Sequence, residues 1–359
     1  MSADRRISYQ NGDADPLFGA NHLTLIRWIL ASLVAISHVG HFSRHTDMPS
    51  VFGILLGDIG VNGFFIVSGM LIAKSLHARR DLKSFTQSRL LRVLPALIVV
   101  TLSFPLFFSP LFSANGGLDK VFALENWQYV LRVLTLGDPE NAPGGIFAGN
   151  SYPDFNTPLW TIRIELLAYA GAAFIFFTGL ARDFVRILAL NVLLSGLYLA
   201  STLGVELPGP EALPEILRLS SCFLLGMLIF YWPASRRLGW RGAAIGTVLF
   251  LVSSPTFLAP LTVNIALAGL LLAAGLPKTV NTKVQNIPDY SYGIYIWHCP
   301  VMQVFIFLNP EIGPIELLAF STPIFIALAA ASWYIVERPA LKLKTWTPSS
   351  RKEPDATID

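Results

Sequence analysis

NHLTLIRWILASLVAISHVGHFSRH, Asn21 to His45, is an apolar helix long enough to enter a bilayer, with one arginine inside it and a histidine cluster at its end. Arg27 and His38 are eleven residues apart, about three helical turns, so they share one face roughly 16 Å apart along the axis. An arginine at mid-bilayer costs about 2.5–3.5 kcal/mol on insertion scales, so this one needs a partner or a hydrated cavity. Ser37 and His41 add polar atoms beside His38. The face is one for polar work across the thickness of a membrane.

The rest of the chain agrees with that reading. Its 359 residues are 53% hydrophobic and 14% charged, against about 25% charged in a soluble domain. Apolar runs near twenty residues recur, the length that crosses about 30 Å of hydrocarbon. They predict an all-α integral membrane protein, a bundle of about ten transmembrane helices near 22–43, 59–77, 93–113, 159–180, 184–202, 215–232, 241–256, 258–276, 290–308 and 315–336. Residues 22–341 form the membrane domain, between cytoplasmic tails at 1–21 and 342–359. Cys222 and Cys299 both fall in apolar helices, which argues against a disulfide or zinc framework.

Charge sets the orientation. With the N-terminus inside, cytoplasmic segments and the helix ends adjoining them hold twenty of the twenty-six Lys and Arg, and the outer ones four (Arg44, Lys120, Arg132 and Arg218). Arg27 and Arg163 lie within helices. The positive-inside rule then places both termini in the cytoplasm.

In chain order, Gly60, Gly63, Ser68 and Gly69 let another helix approach the second one closely. Asn62, near its outer end, is a candidate partner for the histidine cluster. In HARRDLKSFTQSRLLRVLP, Arg79, Arg80 and Lys83 read as membrane anchors. Arg89 and Arg92, at i and i+3 beside the start of an apolar run, suit bidentate phosphate binding from the cytoplasm. Residues 114–158 form the one long outer loop, a candidate substrate lid, in which Trp127 and Tyr129 fit a short amphipathic helix.

Arg163 and Glu165, at i and i+2, cannot face each other, so each is expected to find a partner on another helix inside the bundle. Helices between 184 and 276 read as scaffold. Tyr292, Tyr295 and His298 are spaced by threes in an apolar span, which points this stripe to the bundle interior. Cys299 reads as a small apolar filler, and Glu337 and Arg338 meet the inner surface before Pro339.

Six of these stretches carry a resemblance. RWILASLVAISH (Arg27–His38), GVNGFFIVSGML (Gly60–Leu71), SRLLRVLP (Ser88–Pro95), LWTIRIE (Leu159–Glu165), SYGIYIWHCPV (Ser291–Val301) and VERPAL (Val336–Leu341) stand in register. Together they resemble the membrane-bound acyltransferase-3 family of bacterial sugar O-acyltransferases. Asn62 and Gly63 depart from the Asp and apolar residue common there, and Thr161-Ile162 from Ser-Leu. The resemblance implies transfer of an acyl group, usually acetyl, from cytoplasmic acetyl-CoA or another acyl-CoA, with no metal. The implied acceptor is a hydroxyl of a cell-envelope carbohydrate, an exopolysaccharide or lipopolysaccharide O-antigen, at the bacterial cytoplasmic (inner) membrane. The bilayer and the carbohydrate are then the partners, and nucleic acid is not.

The chemistry fits. Acyl transfer to a hydroxyl needs a base that is neutral near pH 7, which a histidine supplies, and His38 is the first candidate. Arg27 would orient it indirectly or stabilise the thioester oxygen. Glu165 would orient a catalytic histidine or bind the sugar. Arg89 and Arg92 would hold CoA phosphates at the inner mouth. His298, Tyr295, Asn62 and Trp160 are candidate substrate contacts. One rival class is a proton-coupled transporter of a lipid-linked sugar or anion, with Arg27, His38 and Glu165 as relay. It has no internal repeat behind it and leaves Arg89 and Arg92 without a task. A non-enzymatic envelope scaffold would have no use for buried charge.

Overall fold

Helices form wherever an apolar run is long enough, and polar caps or prolines end them. The computed structural model describes residues 21–42, 47–79, 81–180, 183–277 and 279–343. The remaining tail segments, His45 and Arg80 lie outside the described residues. The main helices are α1 (Leu23–Phe42), α2 (Leu56–Arg79), α3 (Leu82–Ser103), α4 (Leu124–Leu136), α5 (Trp160–Phe177) and α6 (Phe184–Thr202). They continue with α7 (Leu213–Tyr231), α8 (Gly239–Ser253), α9 (Ala259–Gly275), α10 (Ser291–Leu308) and α11 (Pro314–Ser332). Asp81 caps α3 by accepting from the Ser84 amide at 2.7 Å, and Asp183 caps α6 from the Arg186 amide at 3.0 Å. A two-residue antiparallel pairing, Ser50–Val51 with Ile54–Leu55, precedes α2.

Among the described residues, eight helical stretches are long and apolar enough to cross a membrane. α3 is one of them, continued by a π turn at Phe104–Phe108 and a short helix to Phe112. The predicted count of about ten includes α8 and α9. These are apolar but have 15 and 17 residues, about 22–26 Å, short of a full hydrocarbon core.

α10 is the most enclosed span and packs between α1 and α11, while α6 is the least enclosed. α2 lies between α1 and α7. A Cβ built on Gly69 would stand 1.9 Å from the Phe223 carbonyl oxygen, and one on Gly226 1.9 Å from that of Ile66. The α2 and α7 backbones therefore touch where each presents a glycine, the close approach that small residues allow in membranes. Gly60 and Gly63 admit Val34 and Leu30 of α1 in the same way.

The long loop contains α4 as an amphipathic helix, with Tyr129 buried and Trp127 half-exposed. It is fastened to α10. Pro300 has no N–H to give the Ile296 carbonyl, and Asn156 Nδ2 donates to that oxygen instead at 2.9 Å. Asn150 Nδ2 donates to Gln303 Oε1 at 2.7 Å, and Gln303 Nε2 donates to the Tyr152 and Asp154 carbonyls. Burial pushes the Asp154 carboxyl up, against the opposing effect of the Phe155 and Ala142 amides that it accepts. Cys299 packs beside the Phe155 carbonyl, and both cysteines are free and buried.

Candidate functional site: two cavities meeting at one wall

α1 runs Arg27, Val34, Ser37, His38, His41 along one stripe, and α2 runs in the opposite sense from Gly57 to Leu71. Between them lie two cavities. The first, about 150 Å³, is lined by Arg27, Arg89, Arg92, Glu165, Tyr169 and Ser68, with apolar residues of α2 and tyrosines of α10. The second, about 210 Å³, is lined by His38, His41, Asp58, Arg218, Tyr152 and Trp160 among others. The Arg27 end of α1 faces the first and the His38 end the second. The eleven-residue spacing thus divides two chambers.

The first cavity is dominated by guanidinium groups tied into an ion cluster. Arg27 Nη1 donates to Asp289 Oδ2, which also accepts from Arg92 Nη2 at 2.7 Å. Glu337 lies 3.8 Å from Arg92 Nη1 and accepts from Ser332. Two guanidiniums therefore face two carboxylates, which accounts for charge at this depth. Burial alone would push the Asp289 carboxyl up; Arg27 and Arg92 outweigh it and hold it down at about 2. Trp28 Nε1 donates to the Pro288 carbonyl at 3.0 Å and stacks at 5.1 Å on Tyr290, fixing the turn that carries Asp289. Arg89, one turn from Arg92, lines the same cavity with its guanidinium 5.9 Å from the Phe85 ring.

Three sequence readings are corrected here. Arg27 is held by Asp289 and not directed at His38. Among the described residues, Glu165 bonds no histidine and no side chain of another helix. It accepts from the Tyr169 hydroxyl one turn along α5, which in turn accepts from Ser68 of α2 at 3.3 Å. Arg163 is exposed rather than inside the bundle, against Gly137, where a Cβ would stand 2.5 Å from that of Arg163.

The second cavity holds the histidines. His38 Nδ1 is 2.9 Å from the Val34 carbonyl, and His298 Nδ1 is 3.1 Å from that of Ile294. A carbonyl only accepts, so both Nδ1 atoms carry the proton. His298 Nε2, with its lone pair, then accepts from His38 Nδ1–H at 3.3 Å. This network leaves the lone pair of His38 on Nε2. His298, fully buried, does not line the cavity; it accepts from the ring of His38, which does.

Asn62 is not a partner of the histidines. Its Oδ1 accepts from Arg218 Nη1 at 2.6 Å and its Nδ2 donates to Asn264 at 2.8 Å. Arg218 also bonds Glu215 and lies 3.1 Å from Asp58. The helices read as plain scaffold therefore contribute Arg218 and Asn264 to a buried polar network at this chamber. Asp58, Arg218 and Asp289 were missed as site residues. Their signal was available: a lone acid beside apolar runs, and an arginine within one, demand counter-ions.

The chambers share three lining residues, Val61 of α2, Thr161 of α5 and Tyr295 of α10. The Tyr295 hydroxyl is 2.5 Å from Thr161 Oγ1 and 2.9 Å from the Pro158 carbonyl.

Among the described residues no cluster of His, Cys, Asp and Glu could hold a metal ion. Arg27, His38 and Glu165 bond to three different partners, Asp289, the Val34 carbonyl and Tyr169.

No solved structure matches the chain. It is 27% identical to "Nodulation protein 10" of Rhizobium leguminosarum bv. viciae, over 90% of this chain and 94% of that protein. It is 25% identical to the "O-acetyl transferase" of Shigella phage Sf6, over 95% and 99%. A stretch of 113 residues, 28% of the chain, is 32% identical to 18% of "O-acetyltransferase OatA" of Staphylococcus aureus. The family described as "Acyltransferase domain" matches residues 21–337. With that match over most of its length, this multi-pass membrane protein is an acyltransferase of the membrane-bound acyltransferase-3 family.

Proposed function

We propose that the protein moves an acetyl group from cytoplasmic acetyl-CoA, through the membrane, to a hydroxyl of a cell-envelope carbohydrate. The observation that carries this reading is the pair of chambers. One is rich in arginine and the other bears His38, and they abut at a single wall. In this reading the chain sits in the bacterial inner membrane with ten spans, α8 and α9 included, and both termini in the cytoplasm. The basic segments near 79–92 and 342–352 then face the cytoplasm, and α4 with its loop faces outward.

The first chamber takes the donor. Its volume suits the acyl end of the pantetheine arm, so the nucleotide of CoA stays at the mouth, where Arg89 and Arg92 meet its phosphates. Arg27 serves there too, with Asp289 holding both it and Arg92 in place. The second chamber takes the acceptor. His38 Nε2 removes the proton from the attacking hydroxyl, and its oxygen adds to the thioester carbonyl. The C–S bond then breaks and the departing thiolate takes the proton from His38, giving free CoA and the O-acyl ester. Trp160 offers a ring face to the sugar, and Asp58, held by Arg218, accepts from a neighbouring hydroxyl.

The test is the acyl content of envelope polysaccharides in a deletion strain complemented with wild type or with His38→Ala at equal abundance. Wild type restores ester-bound acetate and the variant leaves at most about one part in a hundred. Equal restoration by both would remove His38 from the chemistry.

A further inference from the structure

Val61, Thr161 and Tyr295 line both chambers, one from each of three different helices. Along α2 the lining residues pass from Gly57 and Asp58, facing the second chamber, through Val61, to Phe64, Phe65, Ser68 and Leu71, facing the first. Along α5 they pass from Trp160 through Thr161 to Ile162, Glu165 and Tyr169. Along α10, Ser291 and Tyr292 face the first chamber and Tyr295 borders both. On each of these helices a single residue lines both chambers.

Two of the three are tied together. Tyr295 and Thr161 are joined hydroxyl to hydroxyl at 2.5 Å, and both reach the Pro158 carbonyl, at 2.9 and 3.1 Å. Phe64 packs edge-on against the Tyr295 ring, with centroids 6.0 Å apart. Val61 lines both chambers with an apolar side chain that has no hydrogen bond to give, and it is buried. A substrate entering by one chamber and reacting at the other must bring its carbonyl carbon to this wall, and whatever is attached to that carbon must fit against Val61.

We infer that Val61, Thr161 and Tyr295 form a partition that sets the length of the acyl chain transferred. This inference rests on the reading of one chamber as the donor site and the other as the acceptor site. At this wall, acetyl presents only a methyl group to Val61. Butyryl adds two methylenes, and Val61→Ala removes two methyl groups from the facing side. One methylene in a pocket changes discrimination by about tenfold or more. The wall therefore works as a ruler because Tyr295 and Thr161 are pinned by the Pro158 carbonyl and cannot give way freely.

The experiment uses membrane vesicles carrying the full chain, the envelope polysaccharide of the host strain, and an equal mixture of acetyl-CoA and butyryl-CoA. After the reaction the polysaccharide is saponified and the ratio of released butyrate to acetate is measured. Wild type gives mostly acetate. Val61→Ala raises the ratio roughly tenfold or more. Val61→Leu lowers the propionate-to-acetate ratio when propionyl-CoA replaces butyryl-CoA. Leu193→Ala, on the exposed face of α6, leaves both ratios as they were. A ratio unchanged in both Val61 variants, with ester still formed, overturns the partition and leaves the acyl-transfer reading standing. Absence of any ester from the wild-type arm overturns the donor assignment and the partition with it. If Val61→Ala fails to accumulate, Thr161→Ser, one methyl smaller, is read in its place. It must raise the propionate ratio for the inference to survive.

Discussion

Asp289 shows how one side chain settles the role of its neighbours. It lies outside the membrane-spanning segments, just before α10, and binds the guanidiniums of both Arg27 and Arg92. Replacing it with asparagine keeps the shape, leaves the half-buried Arg27 without its carboxylate and leaves Arg92 with Glu337 alone, so Asp289→Asn lowers stability by about 3 kcal/mol, read from thermal unfolding in detergent. The pH dependence follows from its carboxyl, which Arg27 and Arg92 hold down at about 2 in the folded state, below the ordinary aspartate value of 3.8. A depressed acid contributes stability that is complete above its unfolded pKa and is lost as pH falls through the folded one. Wild type therefore loses this contribution between about pH 4 and pH 2, and Asp289→Asn does not show that limb. A variant as stable as wild type at pH 7 would return Arg27 to the free pool of candidates for the thioester oxygen.

Elements meet in this fold where the backbone itself needs help. Pro300 frees the Ile296 carbonyl inside α10, the most enclosed helix, and the long loop before α5 supplies the missing donor through Asn156. The loop read from sequence as a candidate lid is thus anchored by its C-terminal part, from Asn150 to Asn156, at the wall of the histidine chamber. Asn156→Ala leaves a buried carbonyl unpaired and should cost about 1–3 kcal/mol. It should also speed proteolysis between 138 and 157 in solubilised protein before the global transition. Cleavage at the wild-type rate would show that the loop is held elsewhere. Helix packing rests on the same economy of space: the touching backbones of α2 and α7 at Gly69 and Gly226 fix the register that puts Val61 against the chamber wall.

At the scale of the whole molecule, orientation gives the two chambers their tasks. In the proposed topology Lys342 faces the cytoplasm and Leu118 the outside. Cys222 and Cys299 are buried, so an added cysteine reports alone. Leu118→Cys should react with a membrane-impermeant maleimide in cells whose outer barrier has been permeabilised, and Lys342→Cys only after the inner membrane is broken. The reverse pattern would exchange donor and acceptor chambers and with them the direction of transfer.

Length and polarity alone, read along the chain, determined the apolar helices, their order and the arginine-to-histidine spacing of α1, because helix formation in a bilayer needs only local hydrogen bonds and about twenty apolar residues. The same local reading placed Arg89 and Arg92 together, since i and i+3 share a face by helix geometry. Partners were another matter. Arg27 and Asp289 are 262 residues apart, His38 and His298 260, and Arg218 and Asn62 156. No periodicity encodes which buried charge will find which, because the choice follows from how the helices cross. That crossing, set by backbone contacts at glycines on separate helices, turned one polar face on α1 into two chambers and put Val61, Thr161 and Tyr295 between them.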